Sequence, residues 1–284
     1  MLDISASIVL YKNDQEMLIQ AIDSFLNTDF HVKLFLVDNS PTNQLSCLAK
    51  DPRIVYIFSG QNLGFGKAHN LALKETLKKS KYHLILNPDV SFPKGTLETL
   101  FNFMETNGSV GLVSPKILNW DGEIQYLCKK LPTPQDLFFR RFGSTLIGKL
   151  FGVNNHYYEM RYNNYEESFQ APSMSGCFMF FRSAALDKIG LFDERYFMYV
   201  EDIDISRRMF EAFGNVYYPS AYIYHGHERA SYSINRLLIV HIFSAIRYFN
   251  KWGWFFDLNR KNLNRKVDKK NISPAIDISP QNSL

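Results

Sequence analysis

Four short apolar runs, at 5–11, 33–37, 54–58 and 82–86, alternate with stretches of helical spacing. No other feature constrains the fold of this chain as much. The first run is rich in β-branched residues, and Asn13 or Asp14 after it can cap a helix. In that helix Met17, Leu18, Ala21, Ile22, Phe25 and Leu26 follow a helical period. The second run ends at Asp38-Asn39-Ser40-Pro41, a turn signal. Gly60 to Gly66 follow the third, and the helical stretch 67–79 then puts Ala68, Leu71, Ala72 and Leu77 on one side. This order predicts an α/β fold with a buried, mostly parallel sheet and right-handed crossovers. Ligands on such sheets bind beyond the carboxyl ends of the strands. Tyr11, Asp38, the segment 60–66 and Asp89 all fall there.

The rest of the chain changes character. A helix is expected at 94–107 and a strand at 110–115. The stretch 128–169 is irregular, aromatic and basic, with Leu137-Phe138-Phe139-Arg140-Arg141-Phe142 at its centre. A strand at 174–181, helices at 183–189 and 201–212, strand-like runs at 215–219 and 221–225 and a long helix at 231–250 follow. From 261 polarity dominates, and the tail is expected to be disordered. The 284 residues, 46% apolar, suffice for one large domain or two small ones.

Cys47, Cys128 and Cys177 are far apart, with no CxxC or Cys/His spacing. They support neither a disulfide scaffold nor a zinc site and fit a reducing cytosol. No basic leader is expected before the first strand, and no stretch is apolar enough to predict a spanning helix. The net charge of +4 is uneven: Arg247, Lys251, Arg260, Lys261, Arg265, Lys266, Lys269 and Lys270 face only Asp257 and Asp268 in the same segment. A basic terminus beside aromatics points to an anionic membrane surface. Nucleic acid is not expected as a partner.

Two acidic clusters carry the chemistry. Asn87-Pro88-Asp89-Val90 directly follows the fourth apolar run. A carboxylate at the tip of a buried strand is costly unless it binds a cation or is otherwise paired. Turn propensity alone also accounts for these residues. Glu201-Asp202-Ile203-Asp204 follows Tyr196-Phe197-Met198-Tyr199. Carboxylates suit the first turn of a helix, but an apolar flank also raises their pKa and makes a better base. Gly64-Phe65-Gly66 lacks the full dinucleotide spacing, and a tight strand-to-helix turn explains the glycines. The helix start beside it still favours negative charge, and Asn70 one turn in can meet a ribose, a phosphate or a loop. His225-Gly226-His227 closes an apolar run, with Arg229 beyond as a phosphate partner. Together these point to metal-assisted chemistry on a phosphorylated ligand, with a separate proton acceptor.

The pieces, in this order, resemble the inverting family 2 glycosyltransferases, and within them the bacterial rhamnosyltransferases of O-antigen and capsule assembly. The matching stretches are Ser7-Ile8-Val9-Leu10-Tyr11, Val37-Asp38-Asn39-Ser40, Asn62 through Asn70 and Leu86-Asn87-Pro88-Asp89-Val90. They continue with Ser175-Gly176-Cys177-Phe178-Met179, Gly190-Leu191-Phe192-Asp193-Glu194, Phe197 through Asp204 and His225 through Ser231. The resemblance implies a GT-A fold: a Rossmann-like nucleotide-binding sheet merged with an acceptor-binding part. On that reading 1–230 is the transferase domain, with 1–115 for the nucleotide sugar and 116–230 for acceptor and catalysis. An amphipathic helical segment at 231–260 and a basic tail at 261–284 complete the chain.

It also implies roles. Asp38, with Tyr11 and Asn39, would meet the nucleotide. Gly64, Phe65, Gly66, Asn70, Asn87 and Arg229 would line the donor site. Asp89 matches the second acid of the family's DxD motif and would bind Mg²⁺ or Mn²⁺ on the donor diphosphate, with Asn87 in place of the first acid. His225 matches the position that completes the metal shell, and His227 is its rival. Asp202 matches the catalytic base, with Glu201 beside it. The donor implied is dTDP-rhamnose, with UDP-linked galactofuranose, galactose or glucose as alternatives, and the acceptor a lipid-linked saccharide. A non-catalytic nucleotide-sugar-binding partner is the rival function. An acceptor in lipid would put the enzyme on the inner face of the bacterial plasma membrane, held by residues 138–151 and by the apolar residues between Leu237 and Phe256. The bland alternative for the long helix is packing on the catalytic domain or a homodimer seam.

Overall fold

A computed structural model describes residues 1–139, 154–226 and 234–270. Its elements begin β1 (Leu2–Leu10), α1 (Gln15–Leu26), β2 (Val32–Asp38), a 3-10 turn (Gln44–Leu48), β3 (Ile54–Phe58), α2 (Phe65–Thr76) and β4 (Ser80–Leu86). Then come β5 (Val90–Ser91), α3 (Thr96–Thr106), β6 (Leu112–Leu118), α4 (Pro134–Phe139), α5 (Asn155–Tyr158), β7 (Phe169–Gln170) and β8 (Phe178–Arg182). The chain continues through α6 (Ser183–Ile189), α7 (Glu201–Ala212), β9 (Asn215–His225), α8 (Ile234–Trp252) and α9 (Leu258–Lys270).

Among the described residues the strands form one nine-stranded sheet, ordered β3-β2-β1-β4-β8-β6-β9-β5, with β7 beside β9. The first four are parallel, as the sequence predicts: Ile8 of β1 sits between Leu36 of β2 and Leu86 of β4. β8 then enters antiparallel, pairing Leu84 with Phe180, and β6 runs antiparallel to β8. β9 returns parallel to β6, so the sheet is mixed but parallel through β3, β2, β1 and β4. The expected strand at 174–181 starts later, at Phe178, because Ser175 and Gly176 turn toward the site described below. The two strand-like runs after 214 form one strand, with a register shift opposite Pro115 and Lys116.

Alternation on β1 explains both layers. Ile4, Ala6, Ile8 and Leu10 are buried with Leu18, Ala21, Ile22 and Phe25 of α1 and Leu97, Leu100 and Met104 of α3. Asp14, not Asn13, caps α1, accepting from the N–H groups of Glu16 and Met17. The other face of β1 presents Ser5 and Ser7. Ser5 Oγ lies 2.7 Å from His83 Nδ1, and Ser7 Oγ lies 2.9 Å from His83 Nε2 and 2.7 Å from His69 Nδ1. Burial lowers both histidines, His83 to about 3, so this core seam is neutral.

The C-terminal segment is where expectation and structure part. Residues 261–270, expected in the disordered tail, belong to helix α9: its Leu263 and Val267 are buried, and so is Arg260. The long helix α8 turns Ala245, Tyr248 and Phe249 inward into the cluster that includes Ile203, Ile205 and Met209 of α7. Asp257, between the helices, makes a two-pronged pair with Arg207 of α7, at 2.7 and 3.0 Å. The expected disorder of 271–284 and most of the segment 138–151 fall outside the described residues.

Candidate active site

The sheet brings two distant strand ends together. β5 pairs antiparallel with the end of β9, Val90 opposite His225, and the Gly226 N–H donates to the Asp89 carbonyl at 2.8 Å. This sets His225 Nε2 3.5 Å from Asp89 Oδ2, with side chains only 9% and 16% exposed. Gln125 fixes the imidazole. Its amide nitrogen donates to Asn119 Oδ1 at 2.7 Å and to the His225 carbonyl at 2.9 Å. Its oxygen therefore faces His225 Nδ1, 2.9 Å away, and the ring must donate there. In the neutral ring the Nε2 lone pair then points toward the Asp89 carboxylate. Two electron-pair donors facing each other in a half-buried setting form a cation site's protein half or a protonated ion pair. Gln125 is a residue the sequence did not single out, because a lone glutamine after Asp121-Gly122 carries no motif.

The base side is built by Ser175-Gly176-Cys177. The Gly176 N–H donates to Asp202 Oδ2 at 3.2 Å, while the Cys177 carbonyl accepts from the Asn87 N–H at 2.9 Å. Consecutive residues thus tie the α7 carboxylate to the strand tip that carries Asn87 and Asp89. Burial, and then the negative charge of Asp89 and Asp202, outweigh a Ser175 bond and push the Cys177 thiol up to about 12. A side chain on residue 176 would meet the Phe65 ring at 3.2 Å and Asp202 Cβ at 3.5 Å, so glycine keeps the wall thin here. Asn87, Gly176, Glu201, Asp202 and His225 line one cavity of about 470 Å³, within the range of small-molecule sites.

Asp202 is half-buried and opens the first turn of α7, its Oδ1 accepting from the Ile203 N–H at 2.8 Å. The expected effect of the apolar flank on this acidic cluster falls on Glu201. Glu201 is 5% exposed, and burial, then the charge of Asp202, raise its carboxyl to about 8. Its Oε2 has no hydrogen-bond partner. Asp204, fully buried, is structural: it accepts from Trp252 Nε1 at 2.7 Å and pairs with Lys251 and Arg208.

The approach to α7 is strained. Tyr199 and Val200 both have positive φ, 68° and 73°, which costs non-glycine residues roughly 1–2 kcal/mol each. The glycine motif holds this segment. The Phe65 N–H donates to the Phe197 carbonyl at 2.9 Å, and a Cβ on Gly64 would lie 2.0 Å from that oxygen. A Cβ on Gly66 would lie 2.9 Å from Phe192 Cβ. Asn70, 1% exposed, donates to the Phe192 carbonyl and Glu194 and accepts from the Phe192 N–H. Gly64, Gly66 and Asn70 therefore serve packing of α2 on the 190–200 segment. Phe65 itself lines the cavity.

Asp38 is likewise turned inward. It is fully buried, and its carboxylate accepts from Tyr56 Oη at 2.5 Å and the Ser40 N–H at 2.7 Å. Asn39 donates to the Gly64 carbonyl at 2.9 Å, tying the β2 and β3 loops together. These two brace the carboxyl end of β2 from beneath. Tyr11, half-buried at the end of β1, stays at the surface of that end, with Lys12 Nζ 5.6 Å from its ring centre. His227 and Arg229 lie outside the described residues.

The model of "Glycosyl transferase family 2" matches residues 6–190. The chain is 26% identical over 246 residues to an N-acetylglucosaminyl-diphospho-decaprenol L-rhamnosyltransferase of Mycobacterium tuberculosis, covering 80% of this chain and 79% of that protein. It is 24% identical over 257 residues to rhamnosyltransferase WbbL of Escherichia coli, covering 85% and 91%. A crystal structure of GalNAc-T7 with UDP, GalNAc and Mn²⁺ superposes with a TM-score of 0.67 at 14% identity, covering 98% of this chain. The chain spans only about half, 53%, of that structure, and the likeness speaks to fold alone. With the GT-A fold, the sheet-end cleft and the family match in place, the chain belongs to glycosyl transferase family 2 and is a glycosyltransferase of the rhamnosyltransferase-like kind.

Proposed function

We propose that this enzyme transfers a sugar, with L-rhamnose from dTDP-rhamnose the favoured donor, onto a hydroxyl of a lipid-linked saccharide with inversion at the anomeric carbon. The observation that carries the reading is the Ser175-Gly176-Cys177 bridge, which binds the Asp202 carboxylate through one residue and the Asn87 strand tip through the next. Asn87 and His225, on the proposed diphosphate side, line the same cavity as Asp202, and a single displacement needs base and leaving group in one cleft. The donor and acceptor classes draw support from the names of the mycobacterial and Escherichia coli relatives.

Asp202 takes the proton from the acceptor hydroxyl as its oxygen attacks the anomeric carbon, and the bond from that carbon to the diphosphate oxygen breaks. General-base help of this kind is worth ~10²–10⁴-fold. Asp89 and His225 fit Mg²⁺ or Mn²⁺: a hard carboxylate and an imidazole nitrogen converge from two strands, and a diphosphate brings further oxygens. Among the described residues no third His, Cys, Asp or Glu joins them. Such a cation, when bound, offsets the charge that grows on the leaving nucleoside diphosphate. Gln125 holds His225 in the tautomer that suits this role. Glu201 is kept protonated by burial up to about pH 8 and stands beside Asp202 as a neutral neighbour.

Asp202→Asn is expected to lower transfer at least a hundredfold while dTDP still raises the melting temperature as in wild type. Undiminished turnover removes the base assignment. A thermal-shift panel of dTDP and UDP sugars with Mn²⁺ separates the donors: stabilisation by UDP sugars alone overturns the rhamnose reading.

A further inference from the structure

The turn between α8 and α9 projects apolar bulk into solvent. Phe255 is 71% exposed, Phe256 95% and Leu258 75%. They cannot fold back, because Asp257 in their midst is held by Arg207 and buried. Gly253, at φ +100°, sets the turn on the other side. The helix that follows sorts its charges. Its carboxylate Asp268 faces inward to Lys130, and Arg260 points to the Pro132 and Trp254 carbonyls. Lys261, Arg265 and Lys266 are exposed on the same outer side as Leu258. No ion pair among the described residues engages these three cations. Both acids of this segment are thus neutralised within the protein, and the outer face is purely cationic.

We propose that this turn is a membrane-docking tip, with Phe255, Phe256 and Leu258 entering the headgroup boundary of a bilayer and Lys261, Arg265 and Lys266 meeting anionic headgroups. An apolar end flanked by cations is the pattern that interfacial anchors share. A second copy of this chain fits the patch poorly. A two-fold contact sets a surface against itself, which would bring three cations onto three cations. The same helices grip the catalytic helix, through Asp204 with Lys251 and Trp252 and through the Ser244 hydroxyl donating to the Met198 carbonyl at 2.8 Å. Docking by this tip would therefore fix the cavity's height and tilt relative to the lipid surface. The proposal rests on the transferase reading only for the use made of that orientation.

The test is sedimentation of the full chain with vesicles of phosphatidylcholine alone or with phosphatidylglycerol. Wild type is expected to bind the anionic vesicles at least tenfold more tightly. Each basic residue beside an anionic leaflet is worth roughly fivefold, so K261E/R265E/K266E should lose on the order of a hundredfold. F255S/F256S/L258S should lose at least tenfold on the same vesicles, with thermal unfolding and nucleotide-sugar binding unchanged. Wild type that fails to sediment, or folded variants that sediment like wild type, overturn the proposal. So does light scattering that shows a dimer abolished by the serine variant without any vesicle binding. Transfer to a short soluble acceptor is measured in parallel: if lipid binding is lost as expected but no variant or wild type transfers sugar, the tip stands and the transferase reading falls.

Discussion

Gly64→Ala is the substitution that most directly asks whether the glycine motif holds the catalytic segment. Gly64 has φ +81° and ψ −169°, a region almost restricted to glycine and worth about 1–3 kcal/mol of strain for alanine. The added methyl would lie 2.0 Å from the Phe197 carbonyl oxygen and 2.8 Å from its carbon. Both are backbone atoms, so no side chain can swing away. The segment must retreat and lose the 2.9 Å bond from the Phe65 N–H, about 1 kcal/mol more. The sum, about 3 kcal/mol or more, lowers the melting temperature by roughly 6–12 °C in a domain of this size. Gly95→Ala is the control. It too has positive φ, 96°, but nothing lies within 4 Å of the added methyl, so strain of roughly 1–2 kcal/mol acts alone. Scanning fluorimetry reads the stability difference, and transfer assayed well below both transitions reads the geometry. Because Phe197 stands four residues before Glu201, Gly64→Ala should cut turnover at least tenfold while Gly95→Ala leaves it near wild type. Equal melting temperatures for the two variants, or full activity in Gly64→Ala, would refute the clamp.

Two further outcomes follow from buried charge. Glu201 is raised by burial to about 8, so the folded state holds a proton that the unfolded chain releases near the ordinary carboxylate value of 4.5. Its stabilising share is full below that value and is lost as pH rises through about 8. Glu201→Gln should therefore gain stability relative to wild type between pH 6 and 9, and a pH-independent difference in unfolding free energy would count against it. Asp257→Ala leaves two guanidinium nitrogens of buried Arg207 without their carboxylate, with Nε still held by Glu211 at 3.1 Å, and should cost up to about 3–5 kcal/mol. The paired change Arg207→Met with Asp257→Leu should recover most of that loss in denaturant titration; a double variant as unstable as the single one would show that the pair acts otherwise.

The amino-acid order alone determined the alternation of strands and helices, the carboxyl-end location of Asp38 and Asp89, and the acidic start of α7. Each follows from a local period or a short turn motif, which a few neighbouring residues encode. Asp89, His225 and Asp202 were legible as candidates because a carboxylate or imidazole at the end of an apolar run carries a solvation cost wherever the fold places it. Glycines 64 and 66 and Asn70 were legible as a motif but not as packing, since their partners lie beyond residue 190. Gln125 left no mark at all. Only the tertiary structure decided these matters: the antiparallel insertion of β8, which puts Gly176 and Cys177 between the two acidic clusters; the pairing of β5 with β9, which sets His225 beside Asp89; and the docking of α9 through Asp257, which the polar composition of the tail concealed. The physical reason is the same in each case. A hydrogen bond between residues a hundred positions apart depends on which strands become neighbours, and that is settled by the joint burial of the whole sheet rather than by any segment's own preference.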